Sequence, residues 1–146
     1  MAYKGKFKPK NVSKYEGDPT KIIYRSLLER RFMVYCDTNS SILKWSSEEV
    51  VVPYISPIDN RWHRYFVDFK IKYKTSSGKI KTTLIEVKPF SQTKEPVKKE
   101  GSQKPTKRYL TEVMTWGVNQ AKWKAAIEYC NDRKWDFKLL TEKELR

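Results

Sequence analysis

"WHRYFVDFKIKYKTSSGKIKTTLIEVKPF", residues 62–90, is the stretch whose reading decides the fold. Its first half alternates, with Tyr65, Val67, Phe69, Ile71 and Tyr73 on one side and Phe66, Asp68, Lys70 and Lys72 on the other. That period of two is the signature of an extended strand. "TSSGK" reads as a turn, and "IKTTLIEVKP" returns as the partner strand. A hairpin over 62–74 and 80–89 follows.

The returning strand ought to be apolar, yet it holds Glu86 and Lys88 two residues apart, and therefore on one face. Asp68 and Glu86 lie nine residues to either side of Ser77, so a turn centred there sets the two carboxylates opposite each other. Opposed residues have Cβ atoms about 4.5–5.5 Å apart, and like charges at that distance repel. A divalent cation between them removes the conflict. Mg²⁺ is bound through one or two carboxylates while keeping several waters. Lys88 then stands one step along, within reach of a phosphate or an attacking water. The plainer reading is a cross-strand ion pair, Asp68 with Lys88 or Glu86 with Lys70, worth about 0.2–1 kcal/mol on a solvated face. The acid-x-Lys triplet alone decides nothing, because 68–70, 132–134 and 136–138 match it too.

Upstream, "GDPTKIIYRSLLERRFMVYCDTN" (17–39) offers Asp18 as a helix cap and Pro19 as the first helical residue. A helix over about 19–37 is expected. At 100° per residue Glu29 falls on a stripe with Ile22, Ser26, Met33 and Cys36, an acid among apolar neighbours that needs a partner. Arg30 leans the same way and can snorkel. "ILKWSSEEVVVPY" (42–54) reads as one strand ended by Pro53. Three prolines and five lysines over 89–107 mark a mobile loop. A helical region over 106–132 is broken at Gly117 with Asn119 as a second cap, and a strand at 134–140 closes the chain. The order of elements is that of an α/β sheet flanked by helices.

The net charge is +14 and the chain holds five Trp and nine Tyr. A compact basic domain of that kind points to nucleic acid. No run of about 18 apolar residues is present to span a bilayer, and "MAYKGKFKPK" lacks the apolar core of a secretory signal. Residues 1–17, with lysines at 4, 6, 8, 10 and 14, read as a basic N-terminal arm, either solvated or lying on phosphates or a partner protein, ahead of one domain over 18–146. Cys36 and Cys130 fit reduced core thiols, and one His with two Cys argues against a zinc finger.

Helix Glu, strand Asp and strand Glu-x-Lys together resemble the PD-(D/E)xK nuclease superfamily. "HRYFVDFKI", "TLIEVKPF", "TWGVNQAKWKAAIEYC" and "WDFKLLTEKEL" look more narrowly like the head-completion nucleases of T-even-type tailed bacteriophages, a likeness that covers nearly the whole chain, including "MAYKGKFKPKNVSKYEGDPTKIIYRS". A wider resemblance reaches the TnsA-type transposon-end endonucleases, which share the closing "TEKEL". Val67 replaces the Pro of the superfamily's Pro-Asp.

The resemblance implies a restriction-endonuclease-like core, a mixed sheet of about four strands flanked by helices. It implies a Mg²⁺-dependent DNA nuclease, with Mn²⁺ able to stand in, acting in phage head completion. Asp68, Glu86 and the carbonyl of Val87 would hold the metal. Lys88 would activate water and neutralise charge, and Glu29 would hold a second metal or the water network. Double-stranded DNA would be gripped through its phosphates by the basic arm, the 89–107 loop, Lys70, Lys72, Asn119, Lys122 and Lys124, with phage head or neck proteins as further partners in the host cytoplasm or the virion. Two alternatives stay open: a catalytically silent neck protein, and a transposon-end endonuclease that cuts at defined sites. His63 reads as a strand-end contact, Glu48 as a solvated strand residue or an acid backing the site, and the Trp residues at 45, 116, 123 and 135 as core.

Overall fold

Period-two alternation and the turn at 75–79 build a four-stranded sheet in the order β3 (Ile42–Ser47), β6 (Phe69–Lys74), β7 (Ile80–Val87), β8 (Asp136–Leu140). The computed structural model describes residues 4–98, 101 and 104–145. β3, β6 and β7 pair antiparallel, whereas β8 runs parallel to β7. A parallel neighbour needs a long crossover, and α2 (Lys107–Arg133) supplies it. In the hairpin turn Gly78 takes φ +87°, a left-handed conformation that suits glycine, and donates its N–H to Thr75 O at 2.9 Å.

Two cores result. Phe32, Met33 and Cys36 of α1 (Leu27–Thr38) pack with Trp45, Phe69, Ile71, Ile85 and Val87. Trp123, Ala126 and Cys130 of α2 pack with Leu84, Val52, Tyr65 and Val67. Alternate residues of β7 thus feed opposite cores, as the pleat requires. Both cysteines are buried free thiols, and Trp45 and Trp123 are core residues as expected.

Several expected elements differ. The helix over 19–37 begins at Leu27, with Ser26 Oγ accepting from Glu29 N at 3.1 Å. Asp18 instead closes a local turn, accepting from Thr20 N at 2.9 Å. Ile23–Tyr24 forms β2, paired antiparallel with β1 (Gly5–Lys6), and Ile22 is buried. Tertiary pairing overrode the Asp-Pro signal there. Residues 4–17, read from the sequence as the basic N-terminal arm, also lie against the domain. Phe7 and Tyr15 sit edge-on to Trp45, and the buried Asp37 accepts from Lys10 N at 2.8 Å and Asn11 N at 2.9 Å.

The strand over 42–54 is two strands, β3 and β4 (Val51–Ile55), broken at Glu48, whose φ is +55°. Pro53 lies inside β4 opposite Arg64 rather than ending it, a tolerable place because β4 has only one neighbour and no central ladder to break. The strand over 62–74 likewise splits into β5 (Trp62–Phe66) and β6, with β5 pairing only to β4. Tyr65 and Val67 therefore enter the α2 core while Phe69 and Ile71 enter the α1 core, not one common face. α2 runs unbroken through Gly117, so Asn119 is a buried mid-helix residue and not a cap. The final strand begins at Asp136, after Lys134 turns the chain at φ +60°. Within the expected 89–107 loop, Phe90–Thr93 is a 3₁₀ turn, and 99, 100, 102 and 103 lie outside the described residues.

Candidate active site

The split between β5 and β6 is what makes the site. The β6–β7 register, Phe69 opposite Ile85, extends one step to bring Asp68 opposite Glu86, as the spacing about Ser77 predicts. Asp68 sits at the kink, where its carbonyl accepts from Glu48 N at 3.0 Å. Its side chain turns inward, Oδ2 accepting from Val87 N at 2.9 Å.

Glu86 is only 5% exposed. Its Oε1 accepts from the Tyr65 hydroxyl at 2.6 Å, and its Oε2 lies 3.5 Å from Lys88 Nζ. Glu86 and Lys88 thus share a face, and the acid and the base meet. This pair is the one the sequence named. The alternative cross-strand pair Glu86–Lys70 does not form; Lys70 Nζ lies 3.9 Å from Glu16 and 5.0 Å from the Trp135 ring centroid.

Glu29 enters from the first turn of α1, with Ser26 Oγ 3.3 Å from its Oε2. Burial pushes its carboxyl above the ordinary range, and the charge of Glu48 adds to this. Asp68 is raised well above the ordinary carboxylate value. Burial is the largest cause, followed by the charges of Glu86 and Glu29, against a smaller pull from the Val87 N–H and Lys88. Tyr65 is raised by burial and by Glu86, so its hydroxyl stays a donor.

Two further residues belong to this cluster. Glu48 does not point into solvent alone, because Arg25 binds its carboxylate at 2.5 Å, and Arg25 also feels Glu29 and Asp68. Glu48 is thus a half-exposed acid paired with Arg25 rather than one free in solvent. Arg25 and Tyr65 carried no sequence signal of a site role. The only hint was that a buried Tyr hydroxyl needs a partner.

Four carboxylates, Glu29, Glu48, Asp68 and Glu86, thus gather around two cations, Arg25 and Lys88, an acid-rich island in a chain of net charge +14. Among the described residues no three His, Cys, Asp or Glu side chains close into a metal cage. Asp68 and Glu86, neighbouring carboxylates that burial and each other's charge disfavour as bare anions, are instead oxygen donors of the kind a hard divalent cation takes.

The expected DNA contacts scatter. Lys122 Nζ lies 5.4 Å from the Tyr65 ring centroid and 5.9 Å from that of Tyr54, which brings it against the residue holding Glu86. Asn119, one turn away and buried, lines a cleft of about 540 Å³ with Trp116, Ser91 and Gln92. Lys72 continues the Asp68 side of β6 beyond Lys70. Lys124 is turned to another surface, beside Ile127, Phe137 and Leu139, and is not brought to the site. His63 is held by Asp59 at 2.8 Å on the exposed ribbon, a strand-end contact as expected. Among the described residues no helix is long and apolar enough to cross a membrane.

Residues 39–142 match the family described as TnsA-like endonuclease N terminal. A head completion nuclease of Enterobacteria phage T4 is 45% identical over 147 aligned residues, covering 100% of this chain and 95% of the phage protein.

Proposed function

The chain belongs to the TnsA-like endonuclease family, and from that premise we propose that it is a Mg²⁺-dependent deoxyribonuclease that hydrolyses DNA phosphodiesters during phage head completion. The observation that carries this reading is Asp68 opposed to Glu86, with Lys88 Nζ 3.5 Å from Glu86. Asp68, Glu86 and the Val87 carbonyl would hold Mg²⁺. When bound, the ion lowers the pKa of an attacking water and offsets charge on the scissile phosphate.

The chain's own groups do the rest. Val87 N–H fixes one oxygen of Asp68 and leaves the other free. The Tyr65 hydroxyl occupies Glu86 Oε1, which fixes the rotamer of that carboxylate. Lys88 is positioned to stabilise the negative charge that grows on the phosphate oxygens in the transition state. Glu29, raised by burial, would order the water network or a second ion. Lys122, Lys70, Lys72 and the lysines of 4–17 would meet the phosphates of double-stranded DNA, giving affinity that falls with salt and carries little sequence preference. Such trimming would act on heads assembling in the host cytoplasm, before the neck and tail join.

The test is plasmid cleavage in Mg²⁺ by the wild type, by Asp68→Ala, and by the wild type in EDTA. Cleavage confined to the first arm supports the proposal. Equal background in all three would leave a DNA-binding neck protein. Mapping the cuts then separates scattered trimming from cleavage at one fixed end.

A further inference from the structure

β4 and β5 form a two-stranded ribbon that shares no ladder with the main sheet. One face, with Val52, Tyr54 and Tyr65, packs into the α2 core. The other points outward. The pairs Val51–Phe66, Pro53–Arg64 and Ile55–Trp62 array six side chains across it. Trp62 is 70% exposed, Ile55 45% and Phe66 43%, and the Arg64 guanidinium lies 5.3 Å from the Phe66 ring centroid. The face carries no acid. Large apolar side chains exposed in one contiguous row mark an interaction surface.

We propose that this face is a stacking surface for unpaired nucleotides of the DNA substrate, which rests on the nuclease reading above and specifies the kind of DNA it prefers. Three observations favour that occupant. The first is continuity with the site. Asp68 follows Phe66 by two residues, across the break at 67–68, and β5 itself spans four residue steps, about 13 Å of extended chain. With bases stacked at the spacing of a duplex strand, about 3.4 Å, the ribbon matches roughly four nucleotides beside the cut.

The second is chemistry. Flat rings and a guanidinium accept the face of any base, and single-stranded DNA is bound by aromatic platforms combined with cations. A duplex keeps its bases stacked inside, so a bare indole has nothing to stack on along it. The third is charge. Arg64 without an acid suits a polyanion, whereas a symmetric contact with a second copy would press the same cationic patch of a +14 chain against itself.

The test is fluorescence anisotropy in EDTA, so that nothing is cut, with a blunt duplex and the same duplex bearing a six-nucleotide single-stranded tail. The wild type is expected to hold the tailed DNA about fivefold or more tighter. The double variant Trp62→Ala, Phe66→Ala should bring that ratio to about one, and Trp62→Phe should keep most of it. Both residues are exposed, and thermal unfolding of each variant checks the fold. A wild type without tail preference, or a double variant that keeps it, overturns the proposal. So does a wild-type dimer on size exclusion that the double variant splits, since the face would then belong to a second copy. Wild-type cleavage of blunt duplex in Mg²⁺ separates the failures. Cleavage without tail preference removes only this inference, and neither binding nor cleavage of either DNA removes the nuclease reading as well.

Discussion

Tyr65 and Glu86 belong to different sheets, yet the Tyr65 hydroxyl donates to Glu86 Oε1 at 2.6 Å in a buried contact. The ribbon of β4 and β5 is thereby tied to the central hairpin at the residue proposed to bind metal. Tyr65→Phe removes one donor and no apolar volume. The Mg²⁺ concentration for half-maximal cleavage should rise about 10–100-fold, as when a residue orienting a metal ligand is lost. A metal titration of plasmid cleavage measures it, and an unchanged midpoint would make the contact purely structural.

Lys88 lies 3.5 Å from Glu86 and is half-buried. Lys88→Ala should lower single-turnover cleavage about 10²–10³-fold while a gel shift shows DNA binding retained, the pattern of a group acting on transition-state charge. Binding lost together with cleavage would assign Lys88 to docking.

The raised carboxyl of Asp68 has a signed consequence for stability. In the metal-free protein the folded state holds this proton more tightly than the unfolded chain does. Its contribution is present in full below the ordinary carboxylate range and is lost as pH rises through the raised folded value. Glu29 acts in the same direction. Melting temperatures of wild type and Asp68→Asn in EDTA, compared from pH 4 upward, should diverge, with the wild type falling relative to the variant. Added Mg²⁺ should narrow the gap, since binding needs the ionised carboxylate. Parallel curves would show that Asp68 titrates normally.

Asp37 anchors the N-terminal stretch through Lys10 N and Asn11 N. Asp37→Ala removes a charged acceptor and should cost about 1.5–3 kcal/mol in denaturant unfolding. Limited trypsin digestion should then open at the lysines between 4 and 14 before the rest of the chain. Wild-type resistance in the variant would mean that Phe7 and Tyr15 alone hold the segment.

Some of this molecule was legible from the chain alone. The β6–β7 register, and with it the meeting of Asp68, Glu86 and Lys88, followed from a short turn and a period of two, which are local properties. Glu29 was visible because an acid on an apolar helical stripe is an anomaly. Other features depended on contacts distant in sequence. The helix start moved from Pro19 to Leu27 because Ile23–Tyr24 pairs with Gly5–Lys6. The breaks at Glu48 and at 67–68 arise because Val67 and Phe69 serve opposite cores, which no alternation pattern announces. Those breaks aim Asp68 inward, bring Glu48 and Arg25 behind it, and bring Tyr65 onto Glu86. Neighbouring residues set which way a strand faces. Where two strands part company is set by the competition of whole packed layers for the same chain, and only the folded molecule resolves that.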